Sequence, residues 1–238
     1  MKPDALSIAL VYPTVLGLYG DRGNALVLAH RARARGLRAE VLVIDPGDAV
    51  PRHADVYLLG GGEDLAQARA VELLRADGGI AAAVERSAPM LAVCAGYQIL
   101  GRGFPAAGGA VDGLDVVDIV TVPGSPRSVG ELATTPSGLG IPVLTGYENH
   151  GGWTMLGDGV EPLGHVVHGT GNRPGAGTDG CRLGRLIGTY LHGPCLARNP
   201  ALADVLLRWS TDMEILAPID DTWPEAIRAE RLHAVGLR

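Results

Sequence analysis

The chain has 238 residues, 47% of them apolar, which is ample for a core and excludes wholesale disorder. The formal net charge is −6 and no block of like charge stands out, so no nucleic-acid partner is expected. No apolar run approaches the ~20 residues of a membrane span, so no membrane insertion is expected either. Cys94, Cys181 and Cys195 are scattered, with no C-x-x-C pair, and an odd count does not read as a disulfide framework. The opening "MKPDALSIALVYPTVLG" resembles a signal peptide weakly; Asp4 and two prolines interrupt it and no A-x-A site follows. These features predict a cytoplasmic protein in which free thiols persist. Lys2 is the only lysine, which reads as the codon bias of a GC-rich genome.

"ALSIALVYP" reads as a buried strand, and "GDRGNALVLAHRARARG" as a helix with arginines in its last turn and Gly36 as its stop. "RAEVLVID" and "ADVYLLGGG" are further strands. "EDLAQARAVELLRADGG" is a helix with Leu65, Ala68, Val71 and Leu74 on one side. "IAAAVERSA" is a short helix before the strand "PMLAV". This alternation predicts parallel β-α-β units, and continuous apolar strands suit a sheet covered on both faces. From about residue 107 to 180 glycine is frequent and helical periodicity disappears. "GLDVVDIVTV", "IPVLTGYENHGG" and "LGHVVHG" read there as strands and "GTGNRPGAGTDG" as a loop. "RLIGTYLHG" is a late strand. "NPALADVLLRWS" is a helix with Asn199 as cap, Pro200 at the first position and Leu202, Val205, Leu206 and Trp209 as its stripe. "TWPEAIRAERLHAVG" closes the chain. With no repeat and no clear linker, residues 1–238 read as one domain, with about 221–238 as a helical extension. The fold class expected is α/β: a flavodoxin-like three-layer sandwich around a mostly parallel, partly mixed central sheet.

Several chemistries lack their motifs. No glycine-rich loop ends in Gly-Lys-Ser/Thr, and neither "GGGEDL" nor "GTGNRPGAG" spells G-x-G-x-x-G. His165 and His168 in "HVVH" would point to opposite faces of a strand, a poor metal pair. No metal and no cofactor is expected in this chain.

Cys94 is more informative. It follows the apolar run ending at Val93, and open α/β sheets carry reactive groups at the carboxyl ends of their strands. Ala92 and Gly96 keep the positions two before and two after it small, as a strand–nucleophile–helix elbow requires. The N-terminus of the following helix would depress the thiol pKa, and its free N–H groups would hold an oxyanion. The competing reading is a buried structural cysteine. A cysteine nucleophile needs a base, usually histidine. His30 and His233 lie in helical segments and His53 precedes a strand. His192 sits where a late strand ends, on the same carboxyl edge as Cys94 if that strand is parallel. His150 in "YENHGG" competes, and either could be an ordinary turn histidine.

"GGGEDLAQ", "CAGYQILG" and "GTYLHGP", in this order and spacing, resemble class I glutamine amidotransferases of the cobyric-acid-synthase-like type. With "LYGDRGN", "GYENHGG" and Arg127 in "SPRSVGEL", the resemblance narrows to the glutaminase subunits of lipid II isoglutaminyl synthases and spans about Ser7 to Leu207. The resemblance implies that Cys94 attacks the side-chain amide of L-glutamine and that His192 relays the protons. It implies an oxyanion hole from the N–H of Ala95 and of a glycine in Gly60–Gly62, Gly61 and Gly62 foremost. Gln98 and Arg127 would hold the α-amino and α-carboxylate groups, arginine suiting a carboxylate through its paired donors; otherwise Arg127 is a plain loop arginine. It further implies a heterodimer with a MurT-type Mur ligase, which would bind ATP and Mg and reach lipid II. Many relatives place a glutamate two residues after the histidine; here Gly193 and Pro194 follow. Glu148, Asp21, Glu63 or a partner's acid remain open as the third member. Asp21 and Asn24, in a loop expected at the surface, and Glu148 and His150 are candidates for the partner contact or the ammonia path, although Asp21 could simply cap the first helix. The rival readings are a glutaminase for another acceptor, such as a corrin ring, and an idle module that only stabilises its partner.

Overall fold

The computed structural model describes residues 5–18 and 20–237; Lys2, Asp4 and Tyr19 lie outside the described residues. The elements in chain order begin with β1 (Leu6–Val11), α1 (Arg22–Ala34), β2 (Ala39–Ile44) and β3 (Val56–Leu59). Then come α2 (Asp64–Asp77), α3 (Gly79–Glu85), β4 (Met90–Val93) and α4 (Ala95–Ile99). A strand-rich middle holds β5 (Gly103–Ala106), β6 (Gly109–Asp112), β7 (Ile119–Pro136), β8 (Leu144–Leu156), β9 (Gly164–His168) and β10 (Thr178–Asp179). The chain ends with β11 (Cys181–Leu183), β12 (Leu186–Thr189), α5 (Cys195–Arg198), α6 (Pro200–Thr211) and α7 (Thr222–Ala234).

The first sheet runs β11-β12-β4-β3-β1-β2. Five of these strands are parallel, and β11 adds an antiparallel edge through Cys181↔Gly188. The parallel order is flavodoxin-like, the expected mostly parallel, partly mixed sheet. The helices fall into two contacting groups, α1 with α5 and α6, and α2 with α3 and α4. Strands β3, β4 and β12 are buried at every position, as the continuous apolar runs predicted. Strand β2 at the edge is only partly covered.

The middle forms a sheet of its own, β10-β9-β7-β5-β6 with β8 against β7, and all but its β5–β7 pairing is antiparallel. The hairpin β5–β6 and the reach of β7 to Pro136 were not expected, and β10 lies at the end of what read as one loop. This sheet abuts the first at the carboxyl end of β12. A bridge pairs Tyr147 of β8 with His192, and a Cβ added at Gly146 would sit 2.7 Å from that of Leu191. Among the described residues no helix is long and apolar enough to cross a membrane.

Two helices sit differently from their patterns. In α2 the buried residues are Gln67, Ala70, Val71 and Leu74, whereas Leu65 is 74% exposed. The stripe therefore turns to put a polar Gln67 inside. In α6, Leu202, Val205 and Leu206 are buried as expected, but the Asn199 side chain makes no capping bond. Its Oδ1 accepts from Thr145 N and its Nδ2 donates to Thr145 O and Cys195 O, which sews the helix start to β8.

Candidate active site

Cys94 follows the end of β4, and its own N–H donates to Thr189 O at the end of β12, 2.9 Å away. Its φ of 53° lies in the left-handed region, a strained conformation for a non-glycine residue. The elbow has no room to spare: a Cβ added at Gly96 would lie 2.7 Å from Leu59 Cβ and 2.9 Å from Leu59 O. This is the steric demand that Ala92 and Gly96 signalled.

The thiol is not depressed as expected. Burial pushes Cys94 up to about 12, and the Ala95 N–H and Arg127 only partly oppose this. The helix N-terminus does act in the expected direction, but desolvation outweighs it. A neutral thiol is the resting form.

His192 comes off β12, the strand paired with β4 through Thr189↔Val93. Its Nδ1 lies 2.7 Å from Tyr190 O and 2.9 Å from Tyr147 O. Carbonyls only accept, so Nδ1 carries the hydrogen and Nε2 of the neutral ring bears the basic lone pair. Two backbone carbonyls thus orient the ring at Nδ1. Burial holds His192 down to about 4, so the ring is neutral at pH 7.

His150 is engaged elsewhere. Its Nδ1 lies 2.8 Å from Gly152 O, its Nε2 3.4 Å from Glu148 Oε2, and its ring stacks on Tyr190 at 3.7 Å. Glu148 also accepts from Thr170 N and Gly171 N. Burial opposes its charge, yet His150 and these N–H groups hold it below the ordinary carboxylate range. Glu63, the remaining carboxylate weighed on this chain, is exposed at the start of α2.

Cys94 opens onto a cavity of about 280 Å³ that also exposes Gly62, Asp64, Gln67, Gln98 and Arg127, with Asn149 and His150–Gly152 from β8. Gln98 is held from both ends: Oε1 accepts from Gln67 Nε2 at 2.9 Å and Nε2 donates to Tyr190 Oη at 3.0 Å. Tyr190 Oη continues to Thr154 and Thr154 to Thr121, a connected buried chain of polar groups. Gln67, Asp64 and Asn149 were not singled out in the sequence. Gln67 and Asp64 stand in "GGGEDLAQ", and the signal that marks Gln67 is a glutamine on the buried side of α2.

Arg127 lies on β7 beside a register shift between Pro123 and Ser128. Its Nε donates to Asn149 Oδ1 at 2.6 Å and one terminal nitrogen to Asn149 O at 3.1 Å. This fixes an exposed guanidinium at the cavity. Arg127→Ala is expected to raise KM for a carboxylate-bearing substrate by at least about tenfold with kcat little changed, a charged hydrogen bond being worth ~1.5–3 kcal/mol. Steady-state kinetics check it; a fall in kcat at unchanged KM would contradict the role.

Three expectations need correction. The N–H of Gly61 is not turned to the cavity but donates to Asp21 Oδ2 at 2.8 Å; Gly62 lines the cavity. Asp21 makes no capping bond to α1. Neither Asp21 nor Asn24 faces the surface: each is 2% exposed, and Asn24 Oδ1 accepts from Leu196 N at the start of α5. Glu148 and His150 are likewise buried.

An open α/β sheet thus carries a cysteine elbow at one strand end, a histidine at the end of the neighbouring strand and a cavity with both signs of charge on its wall. The profile of the CobB/CobQ-like glutamine amidotransferase domain matches residues 7–200, and the chain belongs to that family. It is 35% identical to the lipid II isoglutaminyl synthase (glutamine-hydrolyzing) subunit GatD of Staphylococcus aureus, over 81% of this chain and 79% of that one. The same subunit of Streptococcus pneumoniae is 33% identical over 84% of this chain and 78% of that one. A cobyric acid synthase of Methylobacterium nodulans is 35% identical over 66% of this chain but only 33% of its own length. Among solved structures, a glutamine amido transferase from Methylobacillus flagellatus superposes with a TM-score of 0.53 at 16% identity, over 98% of this chain and 89% of that one. The glutaminase domain of Trypanosoma brucei CTPS superposes at 0.51 and 11%, over 92% and 99%. These two likenesses concern the fold.

Proposed function

We propose that this chain is the glutaminase subunit of a lipid II isoglutaminyl synthase, supplying ammonia to a separate MurT-type ligase. The carrying observation is the cavity: Cys94 at a strained elbow, with the cation Arg127 and the carboxylate Asp64 on its wall. A zwitterionic amino acid with a side-chain amide complements that set of charges. Both GatD relatives extend over most of this chain, whereas the cobyric acid synthase shares a third of its own length, which favours the lipid II acceptor over a corrin.

In this reading Cys94 Sγ attacks the amide carbon of glutamine while the thiol proton passes to His192 Nε2. The oxygen takes up negative charge against the N–H groups of Gly62 and Ala95. The intermediate collapses, the C–N bond breaks, and the amide nitrogen leaves as ammonia with the proton from His192. Water then adds to the γ-glutamyl thioester, gives its proton to His192, and glutamate departs as the proton returns to Sγ. ATP and Mg belong to the partner, which would activate the D-glutamate carboxylate of the stem peptide that ammonia then converts to D-isoglutamine.

The test is reconstitution with a MurT-type ligase, glutamine, ATP and lipid II. Amidation from glutamine should require this chain, and high free ammonia should partly bypass its Cys94→Ala variant. Equal use of glutamine by the ligase alone would sink the reading. A corrin amidated in place of lipid II would keep the glutaminase and change its acceptor, and no glutamate release in any mixture would leave the idle module.

A further inference from the structure

Among the described residues, none between β1 and α1 lines the cavity, yet two of them hold Gly61, the neighbour of the cavity-lining Gly62. Gly60 C=O accepts from Gly96 N–H at 3.0 Å. Gly61 N–H donates to Asp21 Oδ2 at 2.8 Å, and Gly61 C=O accepts from Leu18 N–H at 3.3 Å. In a trans peptide the C=O and the following N–H point in opposite directions. With the Gly61 carbonyl anchored on Leu18, the N–H of Gly62 is turned away from that segment, and Gly62 lines the cavity beside Cys94. The approach is close: a Cβ at Gly60 would lie 2.3 Å from Leu16 O and 2.7 Å from Asp21 Oδ2. Only a bare backbone fits there.

Asp21 is an expensive way to hold one N–H. Its side chain is 2% exposed, and among the described residues its Oδ1 has no hydrogen-bond partner. Burying a carboxylate with half its acceptors idle costs stability. That burial raises its pKa to about 6, against the Gly61 N–H, which lowers it. A residue that only filled space would not need this acceptor.

Building on the glutaminase reading above, we propose that Asp21 is a positioning residue. Through the N–H of Gly61 it fixes the Gly60–Gly61 peptide, and with Leu18 N–H on the Gly61 carbonyl this holds the N–H of Gly62 toward the oxygen that becomes charged during attack. Asp21 touches neither substrate nor Sγ in this role; it acts through the backbone. The "LYGDRGN" stretch thereby gains a function that is neither helix capping nor surface recognition.

The test compares Asp21→Leu, Asp21→Ala and Asp21→Asn in the full chain, with two readouts. The first is glutamine hydrolysis. Asp21→Leu should lower kcat by about tenfold or more with KM within about twofold, because a small displacement of an oxyanion donor is felt mainly in the transition state. Asp21→Asn, which keeps an acceptor oxygen, should recover most of that loss. Asp21→Ala serves if the leucine does not fold. The second is exchange of the Gly61 amide proton, protected in wild type and Asp21→Asn and faster in Asp21→Leu. Full kcat in Asp21→Leu or Asp21→Ala overturns the proposal. An Asp21→Asn variant as slow as Asp21→Leu overturns it too, since charge and not the acceptor would then matter. A wild-type chain with a protected Gly61 but no glutamate release would instead sink the glutaminase reading, and the role with it, while the clamp itself stood.

Discussion

Cys94→Ala is expected to abolish glutamine hydrolysis, with a loss on the order of 10⁴-fold or more as for other covalent nucleophiles, and to leave the fold intact. The effect should be this large because, among the described residues, Cys94 is the only thiol on the cavity wall. Cys181 and Cys195 are buried, burial pushes both thiols up to about 12, and neither lines the cavity. Stability should change little, since Cys94→Ala removes one sulfur at a position already open to the cavity and keeps the same backbone strain. Glutamate release and a thermal melt measure the two halves of the prediction. An electrophilic glutamine analogue should label Cys94 in the wild type and nothing in the variant. Label on Cys181 or Cys195 instead would move the nucleophile.

The resting state adds a condition. The buried thiol keeps its proton at pH 7, so a simple alkylating agent should modify Cys94 slowly at neutral pH, with no inflection near pH 6–7. This is where sequence and structure part. The elbow was legible because its constraints are local: a strand end, small flanks and a helix start all lie within residues 90–99. The depth of burial was not, because it depends on the second sheet, whose β7 and β8 arrive from residues 119–156. The same holds for the glycines. "GGG" after a strand signals close backbone approach, but the hydrogen bonds that fix Gly61 come from Leu18 and Asp21, some 40 residues away. Helix α2 taught the complementary lesson. A periodic apolar stripe predicts a helix correctly and still misplaces its face when a polar residue is buried for the sake of a site, as Gln67 is for Gln98. The parallel sheet itself followed from alternation alone, since apolar strands covered on both faces leave few other arrangements.

His192→Ala should cut kcat by about 10²–10⁴-fold, the size of a general acid–base contribution, with glutamine affinity nearly unchanged. The affinity should survive because His192 is buried at the neighbouring strand end and, in the proposed function, Arg127 is the residue that holds the substrate carboxylate. The pH dependence discriminates further. The two carbonyls on Nδ1 favour the protonated ring, but burial dominates and holds it at about 4, below the ordinary value of 6.5. The base is therefore neutral and competent well below pH 6.5, and kcat/KM should hold from pH 7 down to about 5 before it falls. Stability carries the same sign. A histidine with a depressed folded pKa is protonated first in the unfolded chain, so its contribution is present above pH 6.5 and is lost as pH falls toward 4. Asp21 and Asp179, both raised to about 6 by burial, act in the opposite direction over part of that range. Comparing wild type with His192→Ala cancels those two groups. The stability difference between the two proteins should shift in favour of the variant as pH drops from 6.5 to 4. An activity profile with its acid limb at 6.5, or full turnover in His192→Ala with loss in His150→Ala, would show that the proton moves through another ring.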